Sequence, residues 1–225
     1  MYLLLALDVS SKTGFSVFQV EETEAKVPTD ISLVRYGLIK TPKPVKECGD
    51  YPWSYLRASK SMGKILAELV SEVKPRVVVV EETNKGRQRY SQKLLEFLHA
   101  ALLDHISLDT QAPAVFYLST SEWRNKLGIR LSKDDKKSNQ KLSKAKKNSL
   151  DGKIDRKALG IRGRLTAKHL AVRYVNERFG LQLKIKDNDI ADSICLGEAF
   201  ALGARPCSGG EDFGVNPFAA MIQRN

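Results

Sequence analysis

The sequence predicts an α/β domain on a mixed five-stranded sheet, an antiparallel meander of three strands plus two parallel strands, flanked by helices and carrying a basic insertion. Three observations predict it. Apolar runs and alternating stretches separated by turn residues fill the first 40 positions. Two helical patterns then alternate with two further apolar runs, and from residue 130 apolar periodicity gives way to Lys, Ser and Asn.

Residues 3–7 are one apolar run ended by Asp8, as in a strand buried on both faces. Gly14 opens a second strand with Phe15, Val17 and Val20 after a Ser/Lys turn, and residues 31–40 alternate as a third. Between residues 53 and 73, Leu56, Met62, Ile65, Leu66 and Leu69 recur at helical spacing. Pro75 closes that helix before the run Val77 to Val80, which ends in Glu81. Residues 92–106 read as a second amphipathic helix, 114–118 as a fifth strand, and 121–127 as a short helix capped by Ser119 or Thr120. Residues 130–164 lack apolar periodicity and are expected to form a Lys-rich mobile insertion, with no helix assigned to them. Order resumes with Thr166 as N-cap of a helix over 167–179, stopped by Gly180. A last helix covers about 189–202, within a domain spanning 1–205, and residues 206–225 are an irregular tail.

That last helix opens Asn188-Asp189-Ile190-Ala191-Asp192, which puts two carboxylates on one helix face. Like charges that close repel unless a cation lies between them, and the usual cation is a divalent metal. Asp8 and Glu81 each end a strand, so four carboxylates at element ends suggest one shared site. Singly, each has a plainer reading: acids in a first turn serve the helix dipole, and an acid after a buried strand is often only a surface group. Glu82 competes with Glu81, but strand alternation points it to the other face. An all-oxygen donor set fits Mg²⁺ or Mn²⁺ better than zinc.

Charge indicates the partner. The chain carries 37 Lys and Arg against 26 Asp and Glu, a net +11. Residues 130–168 hold 14 basic and 4 acidic side chains, so 14 minus 4 places ten of those eleven charges in one segment. A charge run is often just a solvated face, but this density beside a metal-site candidate points to nucleic acid. Three cysteines, Cys48, Cys195 and Cys207, with no paired spacing argue against disulfides or a zinc site and for a reducing, cytoplasmic setting. No apolar run approaches the roughly 18 residues of a membrane span, so a soluble protein is expected.

The strand ending in Asp with its Gly-containing hairpin (LLALDVSSKTGFSVF), the strand ending in Glu (VVVVEE) and the helix NDIADSICLGEAFA together resemble the RuvC family of Holliday junction resolvases, with the ribonuclease H-like fold. The segment Ser121 to Gly128 is similar to that family's short helix carrying a basic residue, and Ala167-Lys168-His169-Leu170 to its lysine-bearing helix. The resemblance implies Asp8, Glu81, Asp189 and Asp192 as ligands of two Mg²⁺ ions, and Arg124 and Lys168 near the scissile phosphate. It implies cleavage of four-way DNA junctions by a homodimer, for which the helix over 92–106 is a candidate interface. Further DNA-contact candidates are Lys12, Arg87, Arg89, Tyr90, Lys136, Lys137, Lys144, Lys146 and Lys147.

The chain departs from that pattern in three places. Asp8-Val9-Ser10 has no Gly two residues after the acid, Asn84 stands where bacterial members carry an aromatic residue, leaving Tyr90 as the nearest, and the basic insertion suggests a phage or viral type. A nuclease acting on flaps or other branched DNA would use the same residues. A plain DNA-binding module leaves the four acids unexplained. An actin-like kinase lacks its second phosphate motif here, and a DEDD exonuclease needs a D-x-E that Asp8-Val9-Ser10 does not supply. His99, His105 and His169 share no ligand spacing and read as surface or helix-packing residues, Cys195 as core, and Asp187 as a cap of the last helix rather than a group that orients a metal-bound water.

Overall fold

The computed structural model describes residues 1–10, 12–23, 28–40, 42, 51–82, 89–107, 112–148 and 163–204, of which 89–91 and 148 are described by backbone alone. Arg87, Cys48, Cys207, residues 149–162 and the tail from 205 lie outside the described residues. The chain forms two compact units, one from residues 1–127 with 189–225 and one from 128–188.

In the first unit, β1 (Tyr2–Asp8), β2 (Lys12–Glu22) and β3 (Pro28–Lys40) form the expected meander, and β4 (Val77–Glu81) and β5 (Ala114–Leu118) run parallel to β1. The sheet order is β3-β2-β1-β4-β5. The sequence reports this order through burial. Leu4 to Leu7 and Val78 to Val80 are all 0% exposed because β1 and β4 are central and covered on both faces. The edge strand β3 is mostly exposed or half-buried along its length.

One face is covered by α1 (Trp53–Val73) and α2 (Arg89–Ser107). Leu5, Leu7, Phe15, Val17, Val78 and Val80 of the sheet pack there against Met62, Leu66 and Leu69 of α1 and Leu98, Leu102 and Ile106 of α2. A Cβ on Gly63 would lie 2.9 Å from the Ala101 Cβ, so the two helices approach closely at that point. α1 ends at Lys74 in the left-handed conformation (φ 50°), whose N–H closes on the Val70 carbonyl at 2.8 Å. The helix over 92–106, a candidate dimer interface in the sequence reading, puts Leu98, Leu102 and Ile106 into this core. Among the described residues no helix is long and apolar enough to cross a membrane.

The opposite face is covered by α6 (Asn188–Ala201), buried continuously from Ala191 to Ala201. It lies directly on β2. A Cβ on Gly14 would run into the Asp189 carbonyl oxygen, the Ser16 hydroxyl donates to the Ser193 carbonyl at 2.9 Å, and a Cβ on Gly197 would meet the Phe18 ring at 2.6 Å. Beside it, α3 (Thr120–Lys126) carries the fully buried Trp123. Its cap is Ser119, in a reciprocal pair with Glu122: the Ser119 N–H donates to the Glu122 carboxylate at 2.6 Å and the Glu122 N–H to the Ser119 hydroxyl at 3.3 Å.

The second unit corrects the sequence reading. α4 (Lys133–Asn148) is a helix inside the stretch expected to hold none. Its covered face is Asp135, Ser138, Asn139, Leu142 and Ala145, at helical spacing but with one large apolar member, so a search for apolar periodicity passes over it. The start is written in caps instead. The Ser132 hydroxyl accepts from the Asp135 N–H at 3.0 Å while the Asp135 carboxylate accepts from the Ser132 N–H at 3.0 Å. Asp134 and Asp135 complement the positive end of the helix dipole, and Lys146 and Lys147 the negative end. The Asn139 side chain holds the far end of the insertion by donating to the Leu165 carbonyl at 2.6 Å and accepting its N–H at 3.1 Å. α5 (Ala167–Phe179) has Thr166 at its N-cap, with the Thr166 N–H and hydroxyl 3.3 and 2.7 Å from His169 Nδ1, and ends at Gly180 with φ 66°. The Asp187 carboxylate accepts from the Lys184 N–H at 2.9 Å, at the start of the 3-10 turn Ile185–Asp187, so it is a local cap.

Two stability measurements follow. Burial holds the His99 imidazole down at about 4, against an ordinary 6.5, where it stacks on Tyr117. Between those values the unfolded chain takes up the proton more readily, so stability falls as pH drops through this window. Urea titrations at pH 7.5 and 5 are expected to differ by about 2 kcal/mol from this group, and His99→Gln to remove that share. Gly14→Ala places a methyl group inside the backbone of α6 and is expected to cost about 3 kcal/mol, whereas Ser16→Ala, which deletes one hydrogen bond, costs about 1 kcal/mol.

Candidate active site

Strand alternation decides which acids share a face. Leu5, Leu7, Val78 and Val80 point into the α1/α2 core, so Asp8 and Glu81, each one residue further along, point to the α6 face. β1 and β4 are parallel with Leu7 beside Val80, which makes Asp8 and Glu81 the next neighbours across the pair. Glu82 is exposed on the other side, its N–H bonded to the Leu118 carbonyl at 2.8 Å.

The hairpin after Asp8 is fixed locally. Ser10 N–H donates to the Thr13 hydroxyl at 3.2 Å, that hydroxyl donates to the Ser10 carbonyl at 3.1 Å, and the Lys12 N–H donates to the Ser10 hydroxyl at 3.2 Å. The turn brings Gly14 opposite Asp8 in the antiparallel register. Because the start of α6 rests on Gly14, Asp189 is delivered to the strand position adjoining Asp8. Asp192, one turn further, is 5% exposed. The structure thus brings Asp8, Glu81, Asp189 and Asp192 to one end of one sheet face.

Two groups already address these acids. Arg124 Nη2 lies 4.0 Å from Asp192 Oδ2, and its guanidinium is 4.8 Å from the centre of the Trp123 ring. The Thr120 hydroxyl donates to the Glu81 carboxylate. In sequence Thr120 reads only as a cap; the signal it holds is its place two residues after β5, which pairs Leu118 with Glu81. Cys195 is fully buried, and burial together with the Asp192 and Glu198 carboxylates pushes its thiol well above the usual range, so it is a neutral core residue.

The donor chemistry of the four acids fits a hard divalent cation, which takes oxygen ligands. In the present arrangement no three His, Cys, Asp or Glu side chains among the described residues are gathered to hold one ion. The remaining candidates are carried by other elements. Lys12 is exposed in the hairpin, and Arg89 and Tyr90 are the first backbone residues of α2. Lys168, in the first turn of α5, and Lys136, Lys137, Lys144, Lys146 and Lys147 of α4 are exposed and belong to the second unit.

No protein-family model matches the sequence, and no curated protein matches it. Solved structures do. RuvC of Thermus thermophilus aligns over 89% of this chain and 93% of its own at 14% identity, with a TM-score of 0.55. The same protein in complex with a Holliday junction substrate aligns at 13% identity over the same shares, with a TM-score of 0.50. The yeast mitochondrial Holliday junction resolvase Ydc2 aligns over 98% of this chain and 80% of its own at 11% identity, with a TM-score of 0.50. With its mixed sheet, its strand order and its final helix laid on β2, the chain has the ribonuclease H-like fold of these resolvases.

Proposed function

We propose that the protein is a metal-dependent endonuclease that resolves four-way DNA junctions by paired phosphodiester hydrolysis. This reading is supported by the backbone positions of Asp8 and Glu81 at the ends of β1 and β4 and of Asp189 and Asp192 at the start of α6, on a sheet whose fold is that of Holliday junction resolvases. Those four carboxylates would hold Mg²⁺ or Mn²⁺, two ions per site, which when bound lower the pKa of attacking water and offset charge on the phosphate.

The chain's own groups supply the rest. Thr120 fixes the direction of the Glu81 carboxylate. Arg124 offsets the charge of the buried Asp192 and holds a cation where a phosphate would gather negative charge. The resemblance to RuvC names Lys168, on α5 of the second unit, as a further cation for cleavage. The exposed lysines of α4 present a broad basic face for phosphates, independent of base sequence. Two symmetric cuts in a four-way junction need two sites, so a homodimer belongs to the reading.

Incubation with labelled four-way junction, flap and plain duplex in Mg²⁺ tests it. Paired nicks in the junction are expected; cleavage of the flap alone would move the assignment to another branched-DNA nuclease. Asp8→Asn, Glu81→Gln, Asp189→Asn and Asp192→Asn are each expected to lose cleavage while keeping junction affinity, read by gel shift in Ca²⁺. Full activity in Glu81→Gln would remove it from the site. Replacing Lys136, Lys137, Lys144, Lys146 and Lys147 together by Gln is expected to weaken binding and to flatten the plot of log K against log salt by about 0.9 for each phosphate no longer neutralised, with the metal dependence of cleavage unchanged.

A further inference from the structure

The first half of α1 carries a surface that the catalytic reading does not use. Trp53, Arg57, Lys60 and Lys64 stand at i, i+4, i+7 and i+11, within about 40° of one direction on the helix, and all four are exposed. Trp53, at 66% exposure, is the most exposed aromatic ring among the described residues. No Asp or Glu occurs from Tyr51 to Ala67, so the stripe is uniformly cationic. Tyr51, 41% exposed, extends the aromatic surface, its ring 5.5 Å from Tyr55 and 6.4 Å from Phe97, with Lys93 Nζ 4.5 Å over it.

Topology places this stripe at the catalytic end. α1 leads back to the start of β4, so its N-terminus lies toward the end of β4 that carries Glu81. Its 21 residues span about 31 Å, against about 16 Å for the five of β4, so its first turns overhang the sheet. The cations and the ring cover about 16 Å along the axis, the length of roughly five phosphates of a duplex strand.

We infer that α1 is a second nucleic-acid contact surface, on which Trp53 stacks against an unpaired base and Arg57, Lys60 and Lys64 follow the adjoining phosphates. An open ring followed by a row of aligned cations offers the two things a single strand needs, a stacking platform for a base and a track for phosphates. The inference rests on the nucleic-acid reading above and adds an unpaired segment to its substrate.

The two tryptophans make the test direct, since Trp123 is 0% exposed and acrylamide reaches only Trp53. Full-length protein is titrated in EDTA with oligothymidylate and with a four-way junction. DNA is expected to quench Trp53 and shield it from acrylamide. Trp53→Ala is expected to weaken oligothymidylate binding roughly 5- to 100-fold, with Trp53→Phe restoring most of it. The triple variant Arg57→Gln, Lys60→Gln, Lys64→Gln is expected to flatten the single-strand salt slope by about 2. Equal quenching of Trp53 in free and bound protein, or a wild-type slope in the triple variant, overturns the inference. Shielding that grows with protein concentration without DNA assigns the face to a second copy and also overturns it. Junction cleavage in Mg²⁺, measured in parallel, judges the resolvase reading separately: a protein that shields Trp53 but cuts nothing keeps this surface and loses that function.

Discussion

The seating of α6 on β2 sets the position of every acid on the final helix. Contacts recur at Asp189, Ser193 and Gly197 on the helix and at Gly14, Ser16 and Phe18 on the strand. Four helical residues advance about 6 Å and two strand residues about 6.6 Å, so the two periods stay in step over three contacts. Only small residues permit it. Gly14 and Gly197 remove side chains where backbone or ring would collide, and Ser16 turns the middle contact into a buried hydrogen bond. A slip of one residue on β2 would put Phe15 or Val17 under the helix in place of Gly14 and Ser16.

That seating has an electrostatic cost. Bringing carboxylates to one sheet end, with Asp192 nearly buried, is unfavourable in the absence of positive charge. Arg124 answers part of it from α3, where the ring of buried Trp123 supports its guanidinium. Thr120 and Arg124 lie on one short helix whose start is locked by the Ser119 and Glu122 pair, so one cap sets two groups facing two different acids. The cap's contribution is therefore positional as well as stabilising.

Much of this was legible in the chain. Apolar runs ended by Asp8 and Glu81 and the opening of α6 each announce an element and its acid through local pattern, and the helical stripe of α1 announces a helix. What escaped depended on distant partners. Gly14 reads as a hairpin glycine, and nothing near it in sequence says that the backbone of Asp189 will land on it. Thr120 reads as a cap because its bond to Glu81 crosses 39 positions. α4 escaped because Asp135, Ser138, Asn139 and Ala145 form a helix face without apolar contrast, and because Asn139 binds a residue 26 positions away.

Under the proposed function, the distribution of charge would separate chemistry from affinity. The four acids belong to the unit of residues 1–127 with 189–225, while the lysines of α4 belong to residues 128–188. A polyanion bound through exposed lysines gains affinity mainly by counterion release, which is long-ranged, tolerant of geometry and steeply weakened by salt. Carboxylates that collect a cation act at contact distance and need their backbone held to a fraction of an ångström. The first task suits a helix of exposed, long, flexible side chains with little core beneath it. The second requires the central strands and a helix buried all round, and it is there that the chain places Asp8, Glu81, Asp189 and Asp192.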